Sequence, residues 1–126
     1  METHEDLENI GIGEKEATTL KPARVKIVKA SVVSVGDKGN KKVNCEVSHP
    51  EKTDGTINIS SAKVEKKGKL EVSGLWFNTD EEGKIRKGST TALFLQFIGA
   101  NSVRELEGKE VETLEDESGY LTFKSY

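Results

Sequence analysis

The run "STTALFLQFIG" at residues 89–99 constrains this chain most, because it is the only long apolar run at helical spacing among segments that alternate like β-strand. Ser89 suits an N-cap and Gly99 a left-handed stop, so the spacing predicts a helix over Thr90–Ile98. Leu93, Phe94, Phe97 and Ile98 fall on one stripe, which points the Phe94 and Phe97 rings into a core. A greasy helix just before the last two strands suits a curled sheet that needs a stopper for an open end. At roughly 25 cal/mol per Å² of apolar surface, four large side chains there contribute several kcal/mol.

The flanking segments read as short strands. In "ARVKIVKASVVSVG" the apolar positions run Val25, Ile27, then Val28, Ala30, Val32, then Val33, Val35, changing parity twice. A long strand whose inward face switches predicts bulging or strong coiling. "VNCEV" alternates with Val43, Cys45 and Val47 inward, and "SHPEKTDG" reads as a loop. "TINISSAKV" puts Ile57 and Ile59 on one face. "EKKG" is a tight turn into "KLEVSGLWF", where Leu70 and Val72 share the inward face. "SVRE" has the form of a capping box, and "YLTFKSY" closes the chain with Leu121 and Phe123 inward.

Charge divides the 126 residues into three blocks. Residues 1–19 carry six acids against Lys15, so they read as an acidic, flexible N-terminal tail ahead of one domain over residues 20–126. Residues 20–104 are net basic at +7, and residues 105–126 return to −5. A basic middle suits an anionic partner, although lysines on exposed strand positions also serve solubility. No run nears the length of about eighteen apolar residues needed for a membrane helix, and the acidic N-terminus is unlike a secretory leader, so a cytoplasmic location is expected. Cys45 is the only cysteine, and His4 and His49 are the only histidines, so neither a disulfide nor a Cys/His metal site is expected. No cofactor is expected.

A long coiled first strand, further strands, a capping helix and a closing hairpin is the element order of a small Greek-key barrel. From "ARVKIVKASVVSVGDKGNKKVNCEV" through "STTALFLQFIG", "LEGKEV" and the terminal "GYLTFKSY", residues 24–126 resemble the small OB-fold single-stranded-DNA-binding proteins of archaea, their viruses and phages. The resemblance implies an all-β, OB-fold-like barrel with one short helix, and a non-enzymatic accessory of DNA replication or repair that binds single-stranded nucleic acid. Two departures stand out. "TINISSAKV" and "KLEVSGLWF" both qualify as strands, one more than five, and the acidic tail is N-terminal where bacterial single-strand binders carry theirs at the C-terminus.

Single strands are held by aromatic faces and by cations on phosphates. On the last strand, Tyr120, Thr122, Lys124 and Tyr126 alternate outward. Trp76 and Phe77 are adjacent, so one of them faces out, and which one depends on the register at Ser73–Gly74. Two basic clusters could hold phosphates: Lys63, Lys66, Lys67 and Lys69 at one turn, and Lys84, Arg86 and Lys87 before the helix. The carboxylates of Asp80, Glu81, Glu82 and of Glu115, Asp116, Glu117 sit in turns without an orienting base, so no enzyme is expected. The competing expectation is an interaction module on the same barrel, taking a protein partner through the acidic tail or a strand edge.

Overall fold

A computed structural model describes residues 20–126, so the acidic segment 1–19 lies outside the described residues. Seven strands and one helix follow in chain order: β1 (Arg24–Val35), β2 (Asn40–His49), β3 (Lys52–Ile59), β4 (Ser61–Lys66), β5 (Lys69–Gly74), α1 (Thr90–Ile98), β6 (Glu110–Glu115) and β7 (Leu121–Ser125). A 3₁₀ turn, Arg104–Leu106, precedes β6. The protein is all-β with one short helix. The strands form one sheet in the order β3-β2-β1-β6-β7-β4-β5, and only the β4–β7 pair is parallel.

The ladder itself does not close into a ring. Yet β3 and β4 are separated by Ser60 alone, so the chain passes from one end strand of the ladder to its next-to-last strand in a single residue. That break answers the expected extra strand: "TINISSAKV" supplies the end of β3 and the start of β4.

The inward faces meet in one core. Val25 and Ile27 of β1, Val43, Cys45 and Val47 of β2, Ala62 and Val64 of β4, Val111 of β6 and Phe123 of β7 are buried together with Leu75, Leu106 and Phe94. The Phe94 and Phe123 rings stack with centroids 4.8 Å apart and planes 20° apart. Ser89 caps α1 by accepting the Ala92 N–H at 3.1 Å, and Gly99 ends it in the left-handed region that a side chain would strain.

Several expectations need correction. β1 shifts register once, between Ile27 and Lys29, which leaves Val28 exposed; the second parity change brings no second shift. Val32, Val33 and Val35 are instead partly exposed, because the β1–β2 hairpin runs past the core. Residues 52–55, expected in a loop, already belong to β3. Leu70 and Val72 are exposed, since β5 is the last strand of the sheet.

The helix is rotated from its expected stripe. Thr90, Thr91, Ala92, Phe94 and Leu95 are buried, whereas Phe97 is 53% exposed. Thr91 explains the rotation: its hydroxyl donates to the Trp76 carbonyl at 2.6 Å, so a residue that sequence patterning assigns to solvent is pinned inside. In the capping box, Ser102 Oγ accepts the Glu105 N–H at 3.4 Å, but Glu105 accepts from Asn101 N–H at 2.9 Å, one residue before the expected partner. His49, expected in a loop, is buried at the end of β2. Its Nδ1 accepts the Glu51 N–H at 3.0 Å and its Nε2 lies 2.7 Å from the Lys21 carbonyl oxygen.

Candidate nucleic-acid interface

Strand parity decides which side chains share the outer wall. Residues opposite one another in a sheet project from the same face. In β4, Ala62 and Val64 are fully buried, so Ser61, Lys63 and Glu65 lie on the outer side. Lys63 stands opposite Val72 of β5 on one flank and Lys124 of β7 on the other. Leu70, Val72 and Gly74 therefore share the outer face, and the same parity carries Trp76 there.

Trp76 continues the row onto β2. It forms a bridge with Lys42, which is outward because Val43, Cys45 and Val47 point in. Lys42 in turn faces Val33 of β1. The hydrogen bonds Val43 N–H to Leu75 O and Phe77 N–H to Lys41 O, both 2.8 Å, hold this crossing segment against β2. The outer wall thus carries two connected rows: Lys124, Lys63 and Val72, then Trp76, Lys42 and Val33.

Trp76 is 38% exposed, and Lys42 Nζ sits 4.9 Å from its ring centroid, within cation–π range. Gly74 makes this approach feasible. A methyl group there would stand 2.8 Å from Lys42 Cε and 2.9 Å from Trp76 Nε1, so both side chains converge over the space that glycine leaves. The question of Trp76 or Phe77 is resolved by Leu75, which is fully buried and turns Trp76 outward while Phe77 packs partly buried against the core. Phe77 leaves the candidate set.

The other expected residues divide. Lys124 lies on the outer wall, its Nζ 4.5 Å from the Tyr126 ring centroid and donating to the Tyr126 carbonyl oxygen at 2.9 Å. Tyr126 is 37% exposed. Tyr120, 72% exposed, stands at the β6–β7 turn, with its N–H donated to Asp116. Thr122 has outward parity but is fully buried, and its hydroxyl accepts from Ser61 Oγ at 2.9 Å.

Neither basic cluster acts as one patch. Only Lys63 of the first faces the outer wall. Lys66 lies on the opposite side, 3.4 Å from Glu71, and Lys69 is its ladder partner there. Lys67 occupies the turn itself, and its positive φ of 52° beside Gly68 makes a two-residue hairpin of the primed type. In the second cluster, Lys84 lines a cleft of about 650 Å³ with Val32, Phe77, Ile85, Leu95 and Val103, on the inner side of the β1–β2 hairpin. Arg86 and Lys87 are exposed in the same connecting loop.

Both acidic turns serve the main chain. Asp80 accepts the N–H groups of Glu82 and Lys84, and the Lys84 bond leads in holding its carboxyl below the usual carboxylate range. Asp116 accepts from Ser118 and Tyr120. Glu115, Asp116 and Glu117 share a groove with Lys63, Leu70 and Val72, so the β4–β5 end of the wall is of mixed charge and the cationic weight falls toward Lys42. Arg24 is held by Glu110 at 2.8 Å and Glu112 at 3.1 Å, which removes it as a free cation.

Lys42 was not among the expected site residues. The clean alternation of "KVNCEV" carries the signal, since inward Val43 and Cys45 require Lys42 and Asn44 to face out. Among the described residues, no helix is long and apolar enough to cross a membrane. No protein-family model matches the chain, and no curated protein or solved structure matches it either.

Proposed function

We propose that this protein binds single-stranded nucleic acid, without catalysis, on the outer wall centred on Trp76 and Lys42. The observation that carries this reading is the exposed indole beside the Lys42 ammonium, flanked on the same face by Val33 and, across β5, by Lys63 and Lys124. A base stacks on the ring and the lysines meet phosphates, a combination that tolerates any sequence.

The strand order supports an OB-type barrel beneath that wall. Taking β3 and β4 as one strand kinked at Ser60, β1 lies between β2 and β6, β2 pairs with β3, β6 with β7, and β7 runs parallel to β4. These are the neighbours of a five-stranded Greek-key barrel whose second and third strands present the ligand face, and Lys42 lies on the second. An archaeal or viral accessory to DNA replication or repair is the setting this reading suits, in the cytoplasm of its cell.

Fluorescence anisotropy of a labelled single-stranded oligonucleotide tests the site. Trp76→Ala should weaken binding by about fivefold to a hundredfold, while Trp76→Phe, which keeps a flat ring, should retain most of it. Equal affinity of wild type and Trp76→Ala would remove Trp76 from the interface. The apolar cleft lined by Phe77, Ile85, Leu95 and Val103 favours the second reading, a protein-interaction module. That reading predicts no oligonucleotide binding at any salt concentration.

A further inference from the structure

Among the described residues, no strand meets the main-chain hydrogen-bonding groups on the outer edge of β5. Leu75 N–H donates to the Ser60 carbonyl, and Ser61 stands opposite Gly74. In an antiparallel ladder that bond makes Ser61–Gly74 a pair without mutual hydrogen bonds, and the alternation then fixes every position. Lys69, Glu71 and Ser73 direct their amides toward β4. Leu70, Val72 and Gly74 direct theirs away from it, and β5 is the last strand in the sheet order. Leu70 is 47% exposed and Val72 41%.

We infer that a second copy of this chain covers this edge, with β5 pairing antiparallel to its counterpart about a two-fold axis at Val72. The strand is complementary to itself in that register. Val72 meets Val72 of the second copy, Leu70 meets its Gly74, and every outward N–H meets an outward carbonyl. Glu71 falls opposite Ser73 of the second copy. Moving the axis to Glu71 would set two glutamates face to face, which cross-strand pairing penalises, and moving it to Leu70 would leave Gly74 without a partner. Leu70 of each copy then lies over the other's Gly74, beside the Trp76 indole that already overhangs that glycine. An exposed apolar edge of this kind is a natural template for pairing.

Sedimentation velocity on the full chain tests the pairing and does not depend on nucleic-acid binding. The contact is small, so the wild type should pass from monomer toward dimer between about 10 µM and about 1 mM. Val72→Pro deletes an outward N–H and touches no bond to β4, a substitution that edge strands accommodate. It should stay monomeric throughout while keeping the wild-type circular dichroism. Val72→Lys places two ammonium groups opposite each other, so its association should fall at least about tenfold at low salt and recover in part at high salt. A wild type that stays monomeric over the range, or a Val72→Lys protein that associates as the wild type does, would overturn the inference. So would assemblies larger than a dimer, because a two-fold pairing closes.

Discussion

Phe94→Ala is the most damaging single change that the core predicts. The ring is fully buried and stacks on Phe123 at 4.8 Å, so its loss removes both the apolar transfer term and an aromatic pair. A buried Phe→Ala change costs about 3–5 kcal/mol, and the stack adds about 0.5–1.5 kcal/mol beyond burial. Set against a domain stability of about 5–15 kcal/mol, this is about a quarter of the total or more. Phe97, three residues on, is 53% exposed, and its loss should cost only about 1 kcal/mol on the area that remains covered. Urea unfolding followed by circular dichroism separates the two. With a slope of about 1–3 kcal/mol per molar, the Phe94→Ala midpoint should fall by about 1.2 M or more, and at any one slope at least about three times as far as the Phe97→Ala midpoint. Equal shifts, or a larger one for Phe97→Ala, would refute the helix rotation and the Phe94 stopper with it.

Gly74→Ala should displace the Trp76 ring and the end of Lys42 without straining the backbone, changing tryptophan emission while moving the unfolding midpoint little. Ser89→Ala removes the α1 cap and should cost about 0.5–2 kcal/mol in the same urea assay. Burial pushes the Cys45 thiol up to about 12, so it stays protonated in the folded state while an unfolded thiol ionises near 9. The unfolded chain then binds fewer protons, so between those two values this group's contribution falls as pH rises, by about 1.4 kcal/mol per unit. Native protein should also react with a thiol reagent at pH 8 only at the rate of its opening, and a burst of modification without unfolding would contradict the burial.

The sequence marked the helix and its two ends because capping is local chemistry: Ser89 and Gly99 declare themselves within one turn. It marked β2 because one face of that strand is buried along its length. It misplaced Leu70 and Val72 because apolar alternation shows that two residues share a face and not which face, and β5 extends beyond the core as the sheet's last strand. The helix rotation was hidden for a related reason. In "TTALFLQFI" six of the nine positions are apolar and they spread around the helix, so no single stripe stands out, and the buried Thr91 hydroxyl is satisfied by a carbonyl fifteen residues away in sequence. The candidate site was half legible. Trp76, Lys63, Lys124 and Tyr126 reach the outer wall, whereas Lys66, three residues from Lys63, has the opposite parity and Lys69 stands opposite it on that other face. Lys42 required a contact between β2 and the segment after β5 that no local pattern announces.

The most direct measurement is a titration of the protein with a single-stranded oligonucleotide at several salt concentrations, following emission from Trp76, the only tryptophan. Stacking at Trp76 predicts quenching that saturates in the micromolar range. Contacts from Lys42, Lys63 and Lys124 predict an affinity that falls with salt at a log–log slope of about −2, or roughly −0.7 per phosphate. Emission that stays unchanged at low salt, with no binding up to high micromolar oligonucleotide, would contradict a nucleic-acid site on this wall.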